Sequence, residues 1–389
     1  MLRCCLLLLF LFPCLPRCLG QSNGRFPALW FGTIPSSGYP LPAQYNFSNY
    51  SLVLLGFTYP DAHNEQTLLR NAERVRQYSA PSPPPVFVYR NAHIALKSFD
   101  LQAQAMATLP PSVWIRNGTA AAAGVGPCRL FDGSLAYNFT LDAASQFFLN
   151  ALVREAASES SAVSGVFFDE VDWATCGFLE SECGALFSES DKEGLWRATA
   201  ATMASAATLL AASGKSTVQS LFAAFRANLG SIDSQPCRHA EEDWLAAMPQ
   251  PALQAQRVYR FYGDLGWFGA QGGNTSVCEA YIQNMIDEAQ RVPAVGKVVR
   301  AVLSPSSSEQ DVEALAAAAL LSLDNHTHIG FSTGWGDKDW KWWPILDKAI
   351  GVPLGSAVKR GPASWVRQFT LVIAEYSCET RAGSLTWAT

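Results

Sequence analysis

Eight short runs rich in β-branched and aromatic residues punctuate the chain, at residues 28–33, 51–58, 85–90, 165–169, 216–222, 256–262, 297–303 and 328–333. Most are apolar at nearly every position, the pattern of parallel strands covered on both faces. Between them the apolar period lengthens to that of a helix. Residues 64–79 place Leu68, Leu69, Ala72 and Val75 on one face. Residues 142–158 group Phe147, Phe148, Ala151 and Leu152 behind Asp142, read as the cap. A long helix over 191–213 stops at Gly214, a residue suited to the left-handed turn that ends helices. Residues 276–291 present Val277, Tyr281, Met285 and Ile286, and residues 308–323 present Val312, Leu315, Ala319 and Leu320. Strands alternating with helices predict an α/β fold, and eight such units predict a (β/α)8 TIM barrel. The competing architecture, an open doubly wound sheet, lacks its usual phosphate fingerprint: Gly263, Gly266 and Gly269 do not match G-x-G-x-x-G, and no Walker A sequence occurs.

Three segments stand outside this rhythm. Residues 1–20 combine Arg3, a nine-residue apolar run from Cys4 to Phe12, and the small residues Cys18 and Gly20, as a secretory signal peptide does. Residues 21–352 are then the barrel, with an insertion near 109–141 after the third strand. Residues 353–389 turn strand-like again, at 369–376 and 384–387, and read as a small C-terminal β appendage. No later run is long enough to span a membrane.

Beyond the signal segment six cysteines remain, Cys128, Cys176, Cys183, Cys237, Cys278 and Cys378. An even number in an oxidising compartment implies up to three disulfides, with Cys176 and Cys183 close enough to pair; the other pairings stay open. No C-x-x-C spacing suggests zinc. Six N-x-S/T sequons, at Asn46, Asn49, Asn117, Asn138, Asn274 and Asn325, add the expectation of a secreted glycoprotein. Composition sharpens this. The chain is 49% hydrophobic and only 16% charged, with a net charge of −5, which excludes a disordered chain and a coiled coil and gives no sign of a nucleic-acid binder. Glycans would supply surface polarity that charge does not. Oligomeric state is not readable from the sequence.

In a barrel of this kind, chemistry sits where the strands end. The fourth run closes as Gly165-Val-Phe-Phe-Asp169-Glu170-Val-Asp172-Trp173, three acids directly after an apolar strand. Asp169 is the candidate nucleophile or base, and the acid partner is sought among Asp264, Glu170 and Asp172, Asp264 coming first by position and Asp337 next after it. Alternation along the strand turns Glu170 away if Asp169 enters the barrel mouth. Other strand ends offer Tyr89, Arg90 and Asn91, then Arg260 and Tyr262, then Trp335 and Asp337. With Trp173, these polar and aromatic groups suit a sugar, whose apolar faces stack on rings while its hydroxyls take hydrogen bonds. A carboxyl separation of about 5–5.5 Å would imply retention and about 6.5–9.5 Å inversion. No metal or organic cofactor is implied. Two rival motifs fall short. Gly330-Phe-Ser332-Thr-Gly334 matches a nucleophile elbow, but no His follows it. His326 and His328 share a strand face without the acid cluster of a metal site.

The run Gly165-Val-Phe-Phe-Asp169 resembles the D-G-V-F-L-D pattern of a TIM-barrel glycoside-hydrolase-like group, hypothetical glycosyl-hydrolase families related to the endo-α-1,4-polygalactosaminidases. The closing segment is also similar, with Trp343-Pro344, Leu354-Gly355 and then Trp365-Val-Arg367-Gln-Phe369 where one such family has W-P, L-G-x-P and R-x-F. The resemblance implies a barrel that hydrolyses glycosidic bonds, with Asp169 as the acid that carries over. Three departures stand out. Ser164 replaces the pattern's first Asp, the Pro after Leu-Gly is lost, and no Glu closes the sixth strand. The sequence therefore supports a glycoside hydrolase acting on an unidentified carbohydrate, with a non-catalytic carbohydrate-binding barrel and a structural extracellular glycoprotein as alternatives.

Overall fold

The computed structural model describes residues 26–32, 47–56, 64–116, 127–130, 133–158, 160–172, 188–221, 243–265, 275–324, 326–333 and 341–388. Eight parallel strands follow one another around a single sheet: β1 (Leu29–Gly32), β2 (Leu52–Leu55), β3 (Val86–Asn91), β6 (Gly165–Asp169), β7 (Ser216–Ser220), β8 (Val258–Leu265), β9 (Gly296–Val302) and β10 (Thr327–Ser332). The sheet closes on itself. Ala28 bridges Ile329 in parallel, and the Ile329 N–H donates to the Pro27 carbonyl at 2.8 Å. The protein is a (β/α)8 barrel, and each strand overlaps the run expected for it.

The helices of the outer layer include α1 (Asn64–Tyr78), α2 (Asp100–Thr108), α3 (Asp142–Phe147), α4 (Glu189–Ala212), α5 (Gln250–Gln254), α6 (Thr275–Arg291) and α7 (Glu309–Leu320). Ser188 and Ser308 start α4 and α7 with reciprocal capping boxes. The Ser308 hydroxyl accepts from the Asp311 N–H at 3.2 Å, and the Ser308 N–H donates to the Asp311 carboxylate at 2.7 Å. Gly214 ends α4 with φ of 72°, in the left-handed region where glycine is at ease. One expectation changes here. Leu141, not Asp142, caps α3 and does so without a side-chain bond, and the helix continues as a π-helix over Phe148–Ser158. The short α2 is an element that periodicity did not reveal. Its buried positions are Gln102 and Ala105, and Gln102 is held by the Leu96 N–H, so no apolar stripe advertises it.

Between β3 and β6 lies a two-stranded antiparallel ladder, β4 (Ile94–Ala95) with β5 (Leu135–Ala136). Tyr137 stacks on Phe139, Phe139 meets Phe148 edge-on, and Phe148 contacts Phe168 on the outer face of β6. On the inner face Phe167 packs against Phe31, Tyr89 and Phe261, at 6.2, 5.8 and 4.8 Å between ring centres. Strand β6 is thus gripped from both sides just before Asp169. Gly165 is a forced choice at its start. A Cβ there would run into the Ser216 carbonyl and the Phe87 ring.

The C-terminal residues form an antiparallel sheet of β11 (Val358–Gly361), β12 (Ser364–Gln368), β13 (Val372–Ser377) and β14 (Ala382–Trp387). It docks on the last two helices. Cys378 is disulfide-bonded to Cys278 of α6, Arg367 donates to the Leu320 and Leu321 carbonyls at the end of α7, and the Leu385 N–H donates to Glu313. Cys128 is also disulfide-bonded. Residues 1–20, Cys176, Cys183, Cys237, Asn46, Asn117, Asn274 and Asn325 lie outside the described residues. Among the described residues no helix is long and apolar enough to cross a membrane.

Candidate active site at the C-terminal mouth of the barrel

Strand register decides which side chains can reach the mouth. Tyr89 pairs with Phe167 and Asn91 with Asp169, and Phe167 is a barrel-interior residue, so Tyr89, Asn91 and Asp169 all point inward. Arg90 is on the opposite parity. It lies over Phe99, donates to its neighbour's carbonyl, and shares the attraction of Glu65 on α1. Burial lowers its guanidinium to about 10. Arg260 likewise faces the helices, in a 3.3 Å ion pair with Glu288 of α6, and Tyr262 meets the Tyr281 ring of the same helix at 5.8 Å. The expectation that Arg90, Arg260 and Tyr262 line a substrate site is therefore corrected. They join the sheet to the helix layer, because only alternate residues of a barrel strand enter the interior.

At the inward positions the polar groups form one network. The Tyr89 hydroxyl donates to Asp169 Oδ2 at 3.2 Å and accepts from Asn91 Nδ2 at 3.2 Å. The same Asn91 Nδ2 donates to Glu170 Oε2 at 2.7 Å. Asn91 Oδ1 accepts the His93 and Ile94 N–H groups at 2.9 and 2.8 Å, which fixes which end of the amide faces the acids. His93 is buried behind, against the Val171 carbonyl, and burial brings its imidazole down to about 4, so it stays neutral at physiological pH.

Glu170 departs from the expected alternation. Its φ is 58°, a left-handed conformation that a glutamate adopts at a cost of about 1–3 kcal/mol. The strand alternation is broken at Glu170 itself. The carboxylate comes back to the inward-facing Asn91 instead of turning out toward the helices. Two adjacent acids consequently belong to one network on the rim of the barrel.

Asp169 is 5% exposed. Burial pushes its carboxyl up to about 7, despite hydrogen bonds from Tyr89, the Glu170 N–H and Ser220, and despite attraction from Arg300. The Tyr89 phenol is driven well above its ordinary value by burial and by the two acids, so it acts as a fixed donor. Ser220 ends β7, the neighbouring strand. Arg300 comes from β9, where it lies over the Phe31 ring inside the barrel and donates to the Gly263 carbonyl at 3.0 Å. Neither was singled out from sequence, although Arg300 and Lys297 are the two cations within an otherwise apolar run.

The remaining candidates fall elsewhere. Asp172 is fully buried in the turn after β6, which removes it from the accessible rim. Asp264 lies near the end of β8, where the register with β9 shifts between Tyr262 and Leu265; its side chain is outside the described residues. Trp173, Trp335 and Asp337 are also outside them. Of the described tryptophans, Trp30, Trp114, Trp196, Trp244, Trp343 and Trp365 are buried in packing. Trp173, Trp267, Trp335 and Trp340 all belong to segments that follow barrel strands β6, β8 and β10 in the sequence.

Fold and site together define a (β/α)8 barrel with two adjacent carboxyl groups on a Tyr–Asn support at its C-terminal mouth. No protein-family model matches the chain, and no curated protein matches it in sequence. Among solved structures, an α-amylase from Lactobacillus plantarum superposes with a TM-score of 0.47 and 10% identity, over 91% of this chain and 87% of that one. Aspergillus fumigatus Ega3 in complex with galactosamine gives 0.42 and 10%, over 81% and 93%. A family 5 glycoside hydrolase from Prevotella bryantii, solved with a xyloglucan tetradecasaccharide, gives 0.42 and 10%, over 84% and 95%.

Proposed function

We propose that the protein is a secreted glycoside hydrolase in which Asp169 is the proton donor to the glycosidic oxygen and Glu170 is the second carboxyl. The observation that carries this reading is the condition of Asp169, a buried carboxyl raised to about 7 at the mouth of a barrel, in one network with a second acid. Hydrolysis of a glycosidic bond needs one carboxyl that is protonated at working pH and one that is ionised, and contrasting environments are how a protein separates them. Burial supplies the first. Glu170 is half-exposed, accepts a hydrogen bond from a neutral amide, and is available to stabilise the positive charge that develops on the sugar ring, or to activate water. Asp169 thus takes the acid role, where the sequence alone favoured nucleophile or base. The disulfides and the leader-like first 20 residues support secretion.

A panel of polysaccharides and oligosaccharides, assayed for new reducing ends, tests this with the wild type, Asp169→Asn, Glu170→Gln and Asp264→Asn. The expected outcome is cleavage of at least one substrate by the wild type and a loss of about 100-fold or more in the first two variants. Loss in Asp264→Asn with Glu170→Gln active would move the second carboxyl to the end of β8. Unchanged cleavage by Asp169→Asn would refute the assignment. Glycan binding by the wild type and by Asp169→Asn, with no cleavage by either, would make the barrel a carbohydrate-binding protein.

A further inference from the structure

The opposite end of the barrel carries a cavity of about 340 Å³, lined by apolar residues and by a group of basic and hydroxyl side chains. Its wall is built from residues at the N-terminal ends of strands and from α1: Arg76, Ser164, Lys215, Ser216, Arg257 and His328 among others. Three of these are permanent or near-permanent cations. No Asp or Glu is found among the described residues that line it.

Neutral groups orient the two guanidinium groups. Arg76 Nε donates to the Ala162 carbonyl at 2.9 Å, and its Nη2 to the Ser164 hydroxyl at 3.3 Å. Arg257 donates to the Gly214 carbonyl, and Lys215 to the Ser160 carbonyl. Backbone carbonyls orient a guanidinium but do not cancel its charge. Burial, and after it the nearby Arg76, bring the Lys215 ammonium down to about 8. His328, at the inner wall, is bonded through Nδ1 to Ser51 at 2.8 Å and is kept neutral by burial.

We infer that the N-terminal mouth of the barrel is an anion-binding site, in which Arg76, Lys215 and Arg257 take the tetrahedral oxyanion of a phosphate or sulfate group. Guanidinium forks match the oxygens of such a group two at a time, and the ammonium adds a compact charge. The Ser164 and Ser216 hydroxyls supply neutral contacts. A volume of about 340 Å³ is at the lower end for small-molecule sites. It accommodates an oxyanion carried on a small organic body as well as the bare ion. The site is separate from the carboxyl pair and does not depend on that pair being catalytic.

Calorimetric titration of the full chain, at constant ionic strength set with sodium chloride, uses three probes: inorganic phosphate, inorganic sulfate and glucose 6-phosphate. One-to-one saturable binding of at least one probe is expected in the wild type and in Asp169→Asn. Arg257→Gln and Lys215→Met are each expected to weaken it at least tenfold. Tighter binding of the ester than of either bare ion would identify an organic phosphate or sulfate as the ligand class, and the reverse a free ion. Absence of saturable binding of all three probes to the wild type would overturn the proposal without reference to any variant. Equal binding by the wild type and by both folded variants would overturn it as well.

Discussion

Replacing Asp169 by Asn should shift the stability difference from the wild type in the variant's favour as pH rises. The carboxyl ordinarily loses its proton at 3.8, and in the fold does so at about 7. Each pH unit between these corresponds to about 1.4 kcal/mol, so ionised Asp169 costs the fold about 4 kcal/mol. The native state holds the proton where the unfolded chain has released it, and stability therefore falls as pH rises from about 4 to about 7 and stays lowered above that. The amide introduced by Asp169→Asn cannot titrate. It does face donors from Tyr89, Ser220 and the Glu170 N–H with a group that accepts on one side only, but that mismatch is the same at every pH. The informative quantity is thus the change with pH in the stability difference between variant and wild type, in which the titrating groups remote from Asp169 cancel. Urea denaturation followed by tryptophan fluorescence, with disulfides intact, should show that difference moving by about 4 kcal/mol in the variant's favour between about pH 4 and about pH 8. A difference that stays flat would mean that Asp169 titrates as an ordinary surface carboxyl, and the proton-donor reading would fall with it.

Further perturbations follow from the same geometry. Glu170→Gly and Glu170→Ala both delete the carboxylate, but only glycine is at ease with φ of 58°, so the glycine variant should be the more stable of the two by about 1 kcal/mol in urea melts. Arg260→Met removes the buried cation paired with Glu288; it should lower stability by about 3 kcal/mol while leaving the KM of the surviving enzyme unchanged, the opposite of what a substrate-binding arginine would show. Gly165→Ala should cost about 2 kcal/mol or more, measured by the same melts, because the added methyl meets the Ser216 backbone as well as the Phe87 ring. If Asp169 is the proton donor, kcat/KM should decline as pH rises through about 7, and Asp169→Asn should lack that limb.

The barrel was legible because its strands are covered on both faces. A run such as Gly165-Val-Phe-Phe-Asp169 has few other places to go, and its bounds in the structure are those read from the sequence. The mouth was legible only in part. Taking the closing residues of each run as rim residues ignored parity, and parity separates Tyr89 and Asn91, which enter the barrel, from Arg90, Arg260 and Tyr262, which do not. The interior aromatics could have supplied the phase, since Phe167 and Phe261 are in the same runs. Glu170 is a different matter. Nothing in a glutamate announces a left-handed backbone, and the strand rule gave the wrong direction for its side chain. Arg300 offered a signal, a buried cation among valines, but its meaning depends on the three-dimensional approach to Asp169.

The Cys278–Cys378 bond ties two points 100 residues apart in sequence. Everything between them, including strands β9 and β10, helix α7 and most of the C-terminal sheet, is one covalent ring. A protease that nicks the chain once in that ring, for example at the exposed Ser304–Ser306 turn beside α7, releases nothing: the fragments remain joined until the bond is reduced. In a protease-rich environment the last quarter of the barrel can be cut and still hold its place, and the protein should run as a single band on a non-reducing gel where a reducing gel shows two.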